Sequence, residues 1–130
     1  MRVYLAGPIF GRTDEQAASW RTYAAALLAD AGVESVDPFR RDYRGHEAEN
    51  VAAIVDGDLT ELHDCDAVLA NFVDGTTGVG SVCEIVYAHL AGIEVVVAHP
   101  NPASPWLMYH ADAICDTLES AILRVIEGAA

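Results

Sequence analysis

Lysine is absent from this sequence. Its seven basic residues are all arginine, and against 20 aspartates and glutamates they leave a formal net charge of −13 over 130 residues. A chain with this balance repels polyanions, which excludes an extended surface for nucleic-acid polymers and leaves a small anionic ligand open. Long hydrophobic runs are missing too. The hydrophobic share is 52%, much of it alanine and valine, yet no run approaches the ~20 apolar residues of a bilayer span, so no membrane partner is expected. The chain opens on Arg2-Val3-Tyr4-Leu5-Ala6 without a basic, then long apolar, leader, and a cytoplasmic location is the expectation.

Cysteine is scarce. Cys65, Cys83 and Cys115 are odd in number, far apart and set among apolar residues, which predicts three buried small side chains and no disulfide framework. The five histidines, His46, His63, His89, His99 and His110, form neither an H-x-x-x-H pair nor a cluster with cysteine. No metal and no cofactor are expected. At this length one domain, 1–130, buries most of its apolar surface without covalent or metal staples.

Strand and helix patterns alternate along the chain. Residues 2–6 are a short apolar run stopped by Gly7-Pro8, a buried first strand. Ala17, Trp20, Ala24, Leu27, Leu28 and Ala31 recur at helical spacing up to Gly32. Val33–Val36 is a second strand, after which the arginine-rich stretch Phe39–Gly45 reads as a polar, mobile loop. Val51, Ile54, Val55, Leu59 and Leu62 mark a helix within 47–64, followed by strands at 67–73 and 93–98 around a helix from Ser81 to Ala91. An amphipathic helix from Thr117 to Gly128 closes the chain. This alternation predicts an α/β fold with a parallel sheet covered on both faces. Ligands of such sheets sit beyond the carboxyl ends of the strands, which directs attention to the loops Gly7–Arg12 and Asp74–Ser81.

Several side chains in or near those loops have two readings each. Gly78 and Gly80 lie in a glycine-rich run before the helix opened by Ser81, where backbone N–H groups and the helix dipole suit an oxygen-rich ligand. Ser81-Val82-Cys83-Glu84 is equally a capping box, which the spacing alone favours. Asp58 falls near the apolar face of its helix, so it either caps a neighbouring loop or faces a polar pocket. Arg40, Arg41 and Arg44 are the one basic cluster; they either clamp a phosphate or pair with acids such as Asp37 and Asp42. Trp106, Tyr109 and His110 form an aromatic patch fit for stacking a base or for packing a subunit interface.

Tyr4-Leu5-Ala6-Gly7-Pro8-Ile9-Phe10, Asp58, the strand ending at Val73, and Gly80-Ser81-Val82-Cys83-Glu84-Ile85-Val86-Tyr87-Ala88 together resemble the nucleoside 2-deoxyribosyltransferase family. The resemblance spans nearly the whole chain. It implies a single flavodoxin-like domain with a five-stranded parallel sheet in the order 2-1-3-4-5 and helices on both faces. It also implies cleavage or transfer at the N-glycosidic bond of a 2′-deoxynucleoside. In that reading Glu84 matches the nucleophile that forms a covalent deoxyribosyl-enzyme, Asp58 an aspartate that holds sugar and base, and Tyr4 a tyrosine that positions the nucleophile. Gly7 and Phe10 match the loop beside the base.

One position departs from the transferase pattern. Transferases often place an aspartate six residues before the nucleophile to hold the sugar 5′-hydroxyl; here that residue is Gly78. Relatives that hydrolyse deoxynucleoside 5′-monophosphates lack the aspartate and have a run resembling Gly78-Val79-Gly80, with a partner-subunit serine that Ser104 resembles. With Arg40 and Arg41 as candidate phosphate contacts, the second implied function is a deoxynucleotide N-hydrolase. A third is a non-catalytic nucleotide-binding domain. The expected partners are a deoxynucleoside or deoxynucleotide, an acceptor base for transfer, and further copies of the chain in a homodimer or higher oligomer with shared active sites, through Asn101–His110.

Overall fold

The computed structural model describes residues 1–130. Five strands, β1 (Arg2–Ala6), β2 (Glu34–Val36), β3 (Ala67–Asn71), β4 (Glu94–Ala98) and β5 (Ala113–Cys115), alternate with five α-helices. The helices are α1 (Asp14–Asp30), α2 (Val51–His63), α3 (Val79–Leu90), α4 (Pro105–His110) and α5 (Leu118–Ala129). All strand pairs are parallel and the order is β2-β1-β3-β4-β5. The order in which strands are added therefore reverses between β1 and β3, which leaves a crevice beyond their carboxyl ends.

Strand alternation sorts the core into two layers. Tyr4, Ala6, Val68, Ala70, Val95 and Val97 point to one face, against Leu62 of α2, Ile85 and Ala88 of α3 and Leu107 of α4. Val3, Leu5, Ala67, Leu69 and Val96 point to the other, against Ala24 and Leu28 of α1 and Ala121, Ile122 and Val125 of α5. Because the strands are buried on both faces, they read as continuous apolar runs.

Four expectations are corrected by the packing. In α2 only Leu62 of the apolar stripe is fully buried, and Val51 and Val55 are exposed. Phe39–Gly45 is tied down rather than loose: Asp37 caps a 3₁₀ turn at Pro38–Arg40, and Arg44 is gripped by Asp14 and Asp42 while lying over the Phe39 ring. Cys83 is exposed and Cys115 half-buried; only Cys65 is buried. Helix α3 starts at Val79 with Gly78 as its cap residue, two residues before Ser81, so Ser81 and Glu84 form no capping box. No helix is long and apolar enough to cross a membrane.

Candidate active site

A cavity of about 390 Å³ opens in the crevice beyond β1 and β3. Its size is within the range of small-molecule sites. The loop after β1 supplies Gly7 and Phe10, the loop after β3 and the start of α3 supply Gly78, Gly80, Ser81 and Glu84, and α2 supplies Asp58.

Tyr4 sits at the base of this arrangement. Strand alternation turns its ring into the core layer beneath α2 and α3, where the residue is fully buried, and its hydroxyl donates a hydrogen bond to Glu84 Oε2. Glu84 projects from α3, about one turn past Gly80. Burial pushes its carboxyl up to about 7; the Tyr4 hydrogen bond opposes that shift, the neighbouring Asp58 adds to it, and Arg21 and Arg41 oppose it. Burial likewise pushes the Tyr4 phenol well above its ordinary value, reinforced by the negative charges of Glu84 and Asp58. The phenol therefore keeps its proton and is the donor to Glu84 whenever that carboxyl ionises.

Asp58 is half-buried, and burial raises its carboxyl against the pull of Arg41. The Arg41 guanidinium donates from Nη2 to Asp58 Oδ1 at 3.1 Å and from Nε to Glu61 Oε1 at 3.1 Å. Two carboxyls with different partners thus face one cavity, Glu84 bonded to a phenol and Asp58 to a guanidinium. Such a pair can divide the roles of nucleophile and proton carrier.

Arg21 braces the site from below. Although it lies in α1, it shares the inward face with Ala17, Ala24 and Leu28, and its side chain is only 1% exposed. It donates to the carbonyls of Leu5 at 2.6 Å and Gly7 at 2.9 Å, and to Asp37 Oδ1 at 3.0 Å. One guanidinium therefore joins the end of β1 to the turn that leads to Arg41. Burial lowers its affinity for the proton, and Asp37 offsets this. Gly7 is required beside it, because a β-carbon at that position would stand 2.8 Å from the Trp20 ring.

Of the residues singled out from sequence, Gly7, Phe10, Arg41, Asp58, Gly78, Gly80, Ser81 and Glu84 line the cavity, with Tyr4 bonded to Glu84 beneath it. Arg40 does not line it. Arg40 turns outward, donates from Nη1 to Glu61 Oε2 at 2.9 Å, and is 56% exposed. Ser104 is exposed away from the cavity, where its hydroxyl caps α4. The Asp37 carboxylate pairs with Arg21 and only its backbone carbonyl accepts from Arg40 Nη1, at 3.1 Å, whereas the Asp42 carboxylate does pair with Arg44. Arg44 of the basic cluster also lines the cavity, and so does Arg12, which was not among the sequence candidates for binding. Arg12 pairs with Asp74 at 3.1 Å and so bridges the two loops that flank the cavity. Its place in the first loop was the available signal. Arg21 had a subtler one: its spacing from Ala17 and Ala24 puts a charged side chain on the buried stripe of α1.

The family model described as nucleoside 2-deoxyribosyltransferase matches residues 3–115. A search of curated proteins finds no match. Among solved structures, a 2-deoxyribosyltransferase of Bacillus psychrosaccharolyticus superposes with a TM-score of 0.68 at 19% identity, covering 94% of this chain and 90% of that one. A CMP N-glycosidase of Clostridium botulinum gives 0.62 at 13% identity, over 96% and 98% of the two chains. A conserved protein of Enterococcus faecalis gives 0.68 at 15% identity, over 99% and 98%. At these identities the structures attest the shared fold alone. With its sheet order and the family match across β1 to β5, the chain belongs to the nucleoside 2-deoxyribosyltransferase family, whose chemistry is that of the N-glycosidic bond.

Proposed function

We propose that this protein cleaves or transfers at the N-glycosidic bond of 2′-deoxynucleosides through a covalent deoxyribosyl-Glu84 intermediate. The observation that carries this reading is the buried Tyr4–Glu84 pair facing the same cavity as Asp58. An ionised Glu84 oxygen attacks C1′ to form a glycosyl ester as the C1′–N bond breaks, its electron pair leaving with the base. Asp58 holds sugar and base and is placed to pass a proton to the departing nitrogen. A second base, or water, then attacks C1′ and returns the carboxylate to Glu84 with configuration retained. Phe10, 79% exposed at the cavity mouth, offers a face for the base.

A second reading, hydrolysis of deoxynucleoside 5′-monophosphates, is favoured by the charges around the cavity. Gly78 takes the place of the transferase aspartate in the sequence motif, and Arg12 and Arg44 line the cavity of an otherwise acidic chain. Glycine amides and arginines suit a phosphate that an aspartate would repel. A non-catalytic nucleotide-binding role accounts for neither the buried phenol nor the second carboxyl. A homo-oligomer is part of the same proposal: Val51, Tyr87, Leu90, Trp106 and Tyr109 are exposed along α2, α3 and α4, and a second copy covering them would bring the segment bearing Ser104 into an interface.

The deciding experiment follows free base and new nucleoside by chromatography, using deoxynucleosides and their 5′-monophosphates with and without an acceptor base. Exchange that depends on the acceptor supports the transferase, and phosphate-dependent release without exchange supports the hydrolase. Absence of turnover across the panel would overturn both.

A further inference from the structure

Helix α2 has a glycine, Gly57, in the middle of its 13 residues. Glycine is among the poorest helix formers, and a central one calls for a packing reason. Here the reason is Arg41. A β-carbon at position 57 would stand 2.5 Å from Arg41 Nη1 and 3.2 Å from its Cζ. The guanidinium thus occupies the space that a side chain at position 57 would fill, with Nη1 nearest the helix, Nη2 on Asp58 and Nε on Glu61. No other side chain at position 57 leaves that seat open.

We propose that Gly57 is a positioning residue for the reaction: its missing side chain is the slot in which the Arg41 guanidinium lies while it holds Asp58 toward sugar and base. The inference rests on the reading of Asp58 as a substrate-contacting group. It also assigns Arg41 to Asp58 rather than to direct capture of a phosphate, since two of its three guanidinium nitrogens are already engaged by carboxylates. The charged and titratable groups facing Asp58 are Arg41 and Glu61 beside it, Arg21 from α1, Tyr4 from β1 and Glu84 from α3. Arg41 is the one cation among them in hydrogen-bond contact with Asp58, at 3.1 Å.

The test compares Gly57→Ala, Arg41→Met and the double variant in the full chain. Only the flexible end of an arginine must yield to the new methyl group, so helix content by circular dichroism stays that of the parent. Without Arg41 in its seat, the Asp58 carboxyl titrates at higher pH in a carbon-detected NMR titration, by the same amount in all three variants. In turnover assays kcat falls ~10-fold or more while KM changes by less than about threefold, because a misplaced group costs rate more than binding. The double variant loses no more than either single one, as expected when two residues act as one unit. A Gly57→Ala protein with the parent's Asp58 titration and kcat would overturn the proposal, as would additive losses in the double variant. Absence of turnover in the parent would sink the functional reading instead, and the Asp58 titration would still decide whether Gly57 seats Arg41 on Asp58.

Discussion

The Tyr4 hydroxyl and the Glu84 carboxylate, 80 residues apart in sequence, meet in a hydrogen bond at the floor of the cavity. The tyrosine is fully buried in β1, an interior strand of the sheet, so its position is set by the core and the carboxylate is held against a rigid partner. The bond favours the ionised form of Glu84 while burial disfavours it. The outcome is a carboxylate that is oriented, poorly solvated and available to attack, which suits a nucleophile better than a solvated surface carboxylate would.

Replacing Glu84 separates chemistry from stability. Glu84→Gln should abolish turnover to below about one part in 10³ of the parent rate and leave ligand binding in place. The same variant should be more stable than the parent at neutral pH. Glu84 titrates near 7 in the folded chain against an ordinary value of 4.5. Between those two pH values the folded state binds more protons than the unfolded state, so the parent loses stability as pH rises through the window. Denaturant titrations should show a gain for Glu84→Gln on the order of 1–3 kcal/mol above neutrality that vanishes toward acid pH. An equal gain at all pH values would contradict this assignment.

Tyr4→Phe removes the one hydrogen bond that favours ionised Glu84. The acidic limb of the pH–rate profile should move to higher pH, by about one unit for each tenfold loss of rate on that limb. Loss of activity should therefore be greatest in mild acid and smallest in mild base. A uniform loss across the profile would mean that Tyr4 acts through packing alone.

Arg12 and Arg44 distinguish the two substrate readings. If a 5′-phosphate enters the cavity, Arg12→Ala or Arg44→Ala should raise KM for a monophosphate by roughly 10- to 100-fold, the worth of one charge-assisted hydrogen bond, and leave the nucleoside KM nearly unchanged. Equal effects on both substrates would remove the case for phosphate recognition.

The exposed aromatic face predicts assembly. Trp106, 67% exposed on α4, stacks on His110 beside Tyr109. Light scattering should give a mass of two chains or more for the parent. Trp106→Asp should shift it toward one chain with the helical spectrum unchanged. A monomeric parent would exclude a shared active site.

Much of the architecture was legible in the sequence because parallel strands buried on both faces leave apolar runs, and helices of one or two core stripes leave periodic ones. Strands β1 to β4 and helices α1, α2, α3 and α5 follow from those patterns. The short elements did not follow. Strand β5 is three residues long, all half-buried, and α4 is six residues long with only Leu107 and His110 buried, so neither leaves an apolar run or a period, and the fifth strand rested on family resemblance alone. The apolar stripe of α2 misled for the opposite reason: its periodicity is real, but part of it faces outward.

The candidate site divides in the same way. Motif residues such as Tyr4, Gly7 and Glu84 could be singled out from sequence because their order and spacing are themselves the signal. Which arginine faces the cavity could not be, since Arg40 and Arg41 are chemically identical neighbours and only the path of the chain turns one outward and lays the other on Gly57. Nor could the missing capping box at Ser81, because a helix start depends on where the preceding loop meets Pro8 and the strand ends. The sequence by itself determined the succession of elements and the identities of the reactive groups, through local periodicity and side-chain chemistry. The tertiary structure alone decided partners, burial and charge balance, because these depend on contacts between segments tens of residues apart.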